Sequence, residues 1–224
     1  MQPLKSHPSG IPRFFETMAA LAGLVATSPL LLLATVLIRA TSPGPFLFRQ
    51  ERIGQFGRPF TLLKFRSMHL HDSSGHLVTA KGDSRVTFVG QLLRKTKLDE
   101  LPELWNVARG DLSLVGPRPE VSRYVNLDNP VWRMVLEVRP GITDPVTLRL
   151  RNEEELLAEC EGDPEKFYLS TLQPYKLSGY VQYLQQRTWR TDVRVLIKTL
   201  LAVILPSQAP PPEVGQIEAL KARI

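Results

Sequence analysis

The sequence predicts an α/β protein that is mostly helical and carries one membrane element near its N-terminus. The membrane element is indicated by 21 consecutive residues without a formal charge, at positions 18–38. As a helix this run would be about 30 Å long, the thickness of a bilayer's hydrocarbon core. Two short extended segments around glycines indicate a β-hairpin, and apolar residues at helical spacing recur in the C-terminal half.

The uncharged run contains Ser28-Pro29 near its centre. Proline has no N–H donor and clashes with the carbonyl four residues back, so we expect a kink or break there. Basic residues lie on both sides of the run: Lys5 and Arg13 before it, and Arg39, Arg49 and Arg52 after it. Because positive charge prefers the cytoplasmic face, a re-entrant membrane helix broken at Ser28-Pro29, which enters and leaves one leaflet, satisfies both flanks. A kinked single span and a buried core helix are the alternatives.

A hairpin is predicted directly after the membrane element. Turn residues at positions 42–45 precede two segments, 46–52 and 60–66, which read as strands around Gly54 and Gly57. Between positions 39 and 66 there are six basic residues and one acidic residue, so this part carries a net charge of +5. Such a strand pair suits lipid headgroups or a diphosphate, although a solvated charged surface would have the same composition.

The rest of the chain reads as helices joined by loops. Segments 86–97 and 98–107 are helical, and a turn through Gly116-Pro117-Arg118-Pro119 follows them. Further helices are predicted at 152–161 and 173–186. A last amphipathic helix has these apolar residues on one face: Val193, Leu196, Ile197, Leu200, Leu201 and Ile204. That face indicates either core packing or an interfacial amphipathic helix lying on the membrane.

These segments suggest three parts. Residues 1–40 form an N-terminal tail and the re-entrant helix, residues 41–206 a main domain on the cytoplasmic face, and residues 207–224 a Pro-rich segment with a short helix. The 224 residues, 43% hydrophobic and 22% charged, suit one compact domain and exclude a disordered polymer. The single cysteine, Cys160, excludes an intramolecular disulfide and a multi-thiolate metal site.

The net charge of +6 favours an anionic partner, which could be nucleic acid, a phospholipid surface or a phosphorylated substrate. The sequence has no Walker loop, GxGxxG or zinc-ligand spacing. The common nucleotide-binding and zinc-binding motifs are therefore excluded.

Asp99 and Glu100 are the candidate catalytic residues. Acids in a first helical turn usually only stabilise the helix. A carboxylate can, however, attack phosphorus where cations hold the anionic substrate, and its neighbour can bind a divalent metal. The cations that could bind phosphate are Lys64, Arg66, Arg85, Arg94 and Arg118.

A series of motifs carries a family resemblance. They are Ser28-Pro29 in an apolar run, SPGPFLFRQERIG (42–54), KFRSM (64–68), LDELPELWN (98–106), GDLSLVGPRP (110–119) and RPGIT (139–143). In this order, over about residues 13–205, the chain resembles the bacterial sugar transferase family of monotopic phosphoglycosyl transferases. These enzymes start glycan assembly on polyprenyl phosphate.

The resemblance implies transfer of a sugar 1-phosphate from a nucleotide diphosphate sugar, a UDP-sugar, to undecaprenyl phosphate, with release of a nucleoside monophosphate. It implies that Asp99 is the nucleophile and that Glu100 binds Mg²⁺. Attack by Asp99 predicts a covalent phospho-sugar intermediate, and direct attack by the lipid phosphate, with Asp99 only binding metal, is the alternative. Lys64, Arg94 and the Pro117-Arg118-Pro119 turn would lie near the diphosphate. The implied location is the cytoplasmic face of the bacterial inner membrane.

The sequence departs from the family pattern after RPGIT, where many members have glycine and this chain has Asp144-Pro145. That departure bears on the sugar rather than on the chemistry. A non-catalytic anchored module that binds phospholipid or a polyanion through the basic hairpin is the alternative function. A nucleic-acid binder is disfavoured by the long uncharged run.

Overall fold

The computed structural model describes residues 10–70, 79, 82–151, 153–160, 162–204 and 217. Most of the elements in these ranges are helices. The helices are α1 (Arg13–Thr41), α2 (Phe88–Lys95), α3 (Glu103–Arg109), α4 (Pro130–Val135), α5 (Pro145–Arg149), α6 (Glu153–Glu159), α7 (Pro164–Phe167), α8 (Gln173–Gln186) and α9 (Trp189–Ile204). The strands are β1 (Leu47–Ile53), β2 (Pro59–Phe65), β3 (Ser113–Val115) and β4 (Gly141–Thr143).

Helix α1 is 29 residues long and passes through Ser28 and Pro29 without interruption. The break that the sequence predicted there is therefore not present as two separate helices. Pro29 cannot donate to the carbonyl of Val25, and the Ser28 hydroxyl donates to that carbonyl instead, at 2.7 Å. The helical conformation continues because the carbonyl that proline deprives of a donor is satisfied locally. By length and composition α1 could cross a membrane.

Both ends of α1 pack against the rest of the protein. At the N-terminal end, the Arg13 guanidinium donates to the carbonyl of Leu112 at 3.2 Å, and the buried carboxylate of Glu16 accepts from the Leu114 amide at 3.0 Å. Near the C-terminal end, Ala34 and Ile38 enter an apolar cluster whose other buried members are Phe65, Val89 and Leu93. Between these ends most apolar side chains face outward; that of Val25 is 75% exposed.

The predicted hairpin is confirmed. β1 and β2 pair antiparallel, with Leu47 opposite Phe65 and Ile53 opposite Pro59. Their connection is a short 3₁₀ turn, Gln55–Gly57, in which Phe56 and Gly57 both have positive φ. Lys64 is the penultimate residue of β2 and lies opposite Phe48 of β1.

A parallel pair of three-residue strands, which the sequence analysis did not predict, joins the two turn motifs. Ser113 of β3 lies opposite Gly141 of β4. The Gly141 amide donates to the Pro117 carbonyl at 2.9 Å. A Cβ on Gly141 would lie 2.1 Å from the backbone nitrogen of Gly116, so this approach requires glycine. The strands thereby hold the Pro117-Arg118-Pro119 turn against RPGIT.

Helices α4 to α8 build the largest apolar cluster, which includes Trp132, Leu172 and Tyr180. Helix α8 has the predicted bounds, and α6 is slightly shorter than its prediction. In α9, Val195 is buried whereas Val193, Ile197, Leu200 and Leu201 are exposed. The apolar face of α9 is thus largely outside the core. Apart from Ile217, the segment predicted at 207–224 lies outside the described residues.

Candidate active site

Asp99 and Glu100 lie in a tight 3₁₀ turn, Leu98–Glu100, between α2 and α3. Lys97, which precedes the turn, has the left-handed conformation with φ 57° and ψ 17°. A non-glycine residue in that conformation costs about 1 kcal/mol, and such strain is often found at functional sites. The carboxylates are therefore held by a strained turn, and not by the first turn of the helix predicted at 98–107.

The Asp99 side chain has an oxygen available for chemistry. The residue is 8% exposed, and its Oδ1 is buried with no hydrogen-bond partner among the described residues. Burial, and next the charge of Glu100, raise the pKa of Asp99 to about 6. At neutral pH the group is mostly ionised, and its pKa lies close enough to neutrality to respond to small changes in nearby charge.

Glu100 has the opposite electrostatic environment. Its Oε1 accepts from Lys64 Nζ at 3.0 Å and from the guanidinium of Arg118. Burial opposes ionisation of Glu100, but Arg118 and Lys64 outweigh it and hold the pKa of Glu100 well below its usual range. Two adjacent carboxylates with pKa values shifted in opposite directions are suited to different roles.

Asn106 of α3 bonds to the strand that carries Lys64, and the sequence analysis assigned it no role. Its Oδ1 accepts from the Leu63 amide at 3.0 Å, and its Nδ2 donates to the Thr61 carbonyl at 2.7 Å. A fully buried side chain thus bonds β2 to α3 on the strand edge that β1 does not occupy. In the sequence Asn106 stands between apolar residues, Leu104-Trp105 and Val107-Ala108. A polar side chain in such a position needs hydrogen-bond partners if it is buried, and this was the signal for a structural role.

Arg118 reaches the acidic pair from the turn that follows β3. One guanidinium nitrogen donates to the Ile142 carbonyl at 3.2 Å, and the other donates to Glu100. The turn is fixed by Arg52, which donates to the Pro119 carbonyl at 3.0 Å. Pro117, Arg118 and Pro119 also line a crevice.

The other predicted cations have different partners. Arg94 forms an ion pair with Glu154 of α6, and its charge still lowers the pKa of Asp99. Arg85 forms an ion pair with Asp83 at 2.6 Å. Arg66 is buried and donates to the carbonyls of Ser42 and Pro43, at 2.7 Å each, just after α1. The structure therefore brings together Asp99, Glu100, Lys64 and Arg118, with Arg94 within electrostatic range.

The carboxylates fit a magnesium ion of the kind that binds with substrate. Among the described residues no group of three or more His, Cys, Asp or Glu side chains could hold a metal ion. Mg²⁺ commonly keeps several waters and binds one or two carboxylates together with substrate phosphates. Suitable oxygens are those of Glu100, already the acceptor for two cations, and Asp99 Oδ1, which has no hydrogen-bond partner within the described ranges.

Asp144, at the departure from the family pattern, has a clear local role. It is fully buried at the start of α5, and its Oδ1 accepts from the amides of Val146 at 2.6 Å and Thr147 at 3.1 Å. The Thr147 hydroxyl donates to Oδ2 at 2.5 Å. Asp144 is therefore the N-cap of α5, and Pro145 occupies the first helical position, where proline is favoured.

Comparison with known proteins identifies the family of this chain. A family model described as bacterial sugar transferase matches residues 8–206. The chain belongs to the bacterial sugar transferase family.

Several curated relatives are similar over most of the chain. The UDP-glucose:undecaprenyl-phosphate glucose-1-phosphate transferase of Caulobacter vibrioides is 35% identical over 88% of this chain and 71% of its own length. The Xanthomonas campestris enzyme with the same description is 41% identical over 84% of this chain and 38% of its own length. The exopolysaccharide production protein ExoY of Sinorhizobium fredii is 31% identical over 86% of this chain and 85% of its own length.

Proposed function

We propose that the protein transfers a sugar 1-phosphate from a UDP-sugar to undecaprenyl phosphate, releasing a nucleoside monophosphate. The relatives in Caulobacter and Xanthomonas carry descriptions of this reaction with UDP-glucose. The observation that carries the proposal is the contrast between Asp99 and Glu100. Asp99 has a buried oxygen with no partner in the described part of the chain, whereas Glu100 binds Lys64 and Arg118.

In the first step Asp99 attacks the sugar-bearing phosphorus of the donor. A bond forms between a carboxylate oxygen and that phosphorus, and the bond to the bridging oxygen breaks. The nucleoside monophosphate leaves with the electron pair. A pKa of about 6 keeps Asp99 ionised at neutral pH, and the tight turn fixes its direction of attack.

In the second step an oxygen of the undecaprenyl phosphate attacks the same phosphorus. The bond to Asp99 breaks, and the carboxylate is regenerated. Lys64 serves as a point charge and Arg118 as a two-pronged donor toward the phosphate oxygens in both steps. Mg²⁺ held by Glu100 would neutralise charge on the donor diphosphate and on the leaving phosphate.

The reaction requires that a soluble anionic donor meets a lipid-bound phosphate at the membrane surface. We infer that α1 is re-entrant, with both ends on the cytoplasmic face of the inner membrane. The hydrogen bond between Glu16 and Leu114 and the apolar cluster that contains Ile38 and Phe65 support this, because both ends of α1 pack on the rest of the protein. The exposed apolar residues of α9, such as Ile197 and Leu200, suit a helix that lies in the bilayer interface.

The test is incubation of purified enzyme with a panel of UDP-sugars and Mg²⁺ in the absence of lipid acceptor. We expect stoichiometric release of UMP and a mass increase of one phospho-sugar on a peptide that contains Asp99. Asp99→Asn should give neither result, whereas the exposed Asp128→Asn should behave as the wild type. Exhaustive chelation should stop the release.

With acceptor present, the initial-rate patterns should be parallel, as a double displacement requires. Intersecting patterns without an adduct after rapid quench would falsify the covalent route. The alternative is a non-catalytic membrane-anchored module. It predicts that the wild type turns over no UDP-sugar and that the wild type and Asp99→Asn bind anionic vesicles with the same affinity.

A further inference from the structure

A third carboxylate lies next to the acidic pair. Glu103 is the first residue of α3 and is 1% exposed. Its Oε1 lies 3.3 Å from Lys64 Nζ and makes no hydrogen bond of standard geometry with the described residues. Lys64 Nζ is therefore between two carboxylates, 3.0 Å from Glu100 and 3.3 Å from Glu103.

This arrangement matters because Glu100 has competing partners. Its Oε1 is shared by Lys64 and Arg118, and a metal ion bound by Glu100 would compete with both for the same carboxylate. An ammonium group on a flexible four-carbon stem can either hold Glu100 against the metal or move away. Glu103 offers Lys64 a second acceptor on the buried side of the site.

The burial of the Glu103 carboxylate would be energetically unfavourable if this side chain only filled space. Burying a carboxylate is unfavourable unless it is paired, and well-packed apolar replacements of buried ion pairs are often neutral or stabilising. Glu103 Oε1 lies 3.3 Å from Lys64 Nζ and has no hydrogen-bond partner among the described residues. The ion pair with Lys64 is therefore the contact through which we expect this carboxylate to act.

We propose that Glu103 is a positioning residue that keeps the Lys64 ammonium beside Asp99 while Glu100 is released to bind a divalent metal. The inference rests on the proposed function, because it takes Glu100 as the metal ligand. It requires an acceptor oxygen at position 103, not specifically a negative charge there.

The test measures Mn²⁺ binding to the purified full-length protein by electron paramagnetic resonance, with UMP present to supply phosphate oxygens. Glu103→Met removes the acceptor with an unbranched side chain of similar length, and Glu103→Leu is a second variant with the same loss. We expect each to weaken Mn²⁺ binding about tenfold, as is typical when a group that orients a metal site is removed. Glu103→Gln keeps an acceptor oxygen and should restore binding to within about twofold of the wild type.

The Lys64→Met variant tests whether Glu103 acts through Lys64. If Glu103 acts through Lys64, adding Glu103→Met to Lys64→Met should change Mn²⁺ affinity by less than about twofold. The proposal would be overturned if Glu103→Gln lowered Mn²⁺ affinity as much as Glu103→Met does. It would also be overturned if Glu103→Met lowered Mn²⁺ affinity as much in the Lys64→Met background as in the wild type. Thermal unfolding of each variant shows whether it is folded.

Different results would contradict the proposed function and the role of Glu103. A wild type that neither binds Mn²⁺ nor releases nucleotide contradicts the proposed function itself. A wild type that does both, with Glu103→Met and Glu103→Leu binding Mn²⁺ equally well, contradicts only the role of Glu103.

Discussion

The hydroxyl of Ser28 donates a 2.7 Å hydrogen bond to the carbonyl of Val25, the same carbonyl that Pro29 leaves without its helical donor. In hydrocarbon an unsatisfied carbonyl costs several kcal/mol, so this bond allows a proline to lie in an apolar helix. Ser28 and Pro29 thus work as a pair: the proline weakens the helix at its centre, and the serine keeps that point compatible with lipid.

Replacing Pro29 should change the topology of α1. Pro29→Leu restores the missing N–H and removes the ring clash, so we expect a fraction of molecules to span the membrane. Cysteines at the exposed positions 12 and 40, in a Cys160→Ser background, report the side of each end. The parent should react at both from the cytoplasm, and the variant should show periplasmic reaction at position 12. Leu30→Ala, beside the proline, is the control. Exclusively periplasmic labelling of position 12 in the parent would contradict a re-entrant helix.

Arg118→Lys should lower turnover substantially despite retaining the charge. Arg118 donates to Glu100 and to the Ile142 carbonyl from two different nitrogens, and an ammonium cannot reproduce that geometry. A charge-assisted hydrogen bond contributes about 1.5–3 kcal/mol, so we expect roughly a tenfold loss or more in kcat/KM for the donor. Steady-state assays with Arg118→Ala alongside check this. Full rescue by lysine would show that only the charge matters.

The acid limb of the pH–rate profile should follow Asp99. Activity requires the ionised carboxylate and should fall below about pH 6, the pKa to which burial and then Glu100 raise this group. Lys97 is among the cations that lower this pKa, so Lys97→Asn should move the limb to higher pH. Asparagine tolerates the left-handed conformation of residue 97, which separates the charge effect from backbone strain. An unmoved limb in Lys97→Asn would assign it to another group.

Asp99→Asn should be inactive and yet more stable than the wild type at alkaline pH. Because the folded protein raises the pKa of Asp99 above its usual value, the native state binds this proton more tightly than the unfolded chain. Ionisation of Asp99 therefore lowers the free energy of unfolding of the wild type as the pH rises from about 4 through 6. The melting temperature of Asp99→Asn should exceed that of the wild type at pH 8, with the difference shrinking toward pH 4. A constant difference across this range would indicate a cause other than titration.

Local patterns predicted much of the fold. The two short extended segments around Gly54 and Gly57 predicted the hairpin, and the helix predicted at 173–186 has the observed bounds of α8. The β3–β4 pair was not predictable in this way. Its strands have three residues each and pair Ser113 with Gly141, so no short window contains the pattern.

The site shows the same limit at the level of single side chains. Lys64 and Arg66 are two residues apart, and the sequence treats them as equivalent phosphate-binding candidates. β2 ends at Phe65, so Arg66 turns to the carbonyls of Ser42 and Pro43 while Lys64 faces Glu100. Which cation reaches the acidic pair depends on where the strand ends and on the Asn106 bonds that align it, and neither follows from composition.

The contact between Arg13 and the Leu112 carbonyl joins residues 99 positions apart. At about 5–20 residues per second, a ribosome reaches the second partner roughly 5–20 s after the first. The apolar helix is therefore made well before its anchoring surface exists. The N-terminal end of α1 can reach its packing partners only after α3 and β3 have been made, so α1 docks on the rest of the protein after about half of the chain has been synthesised.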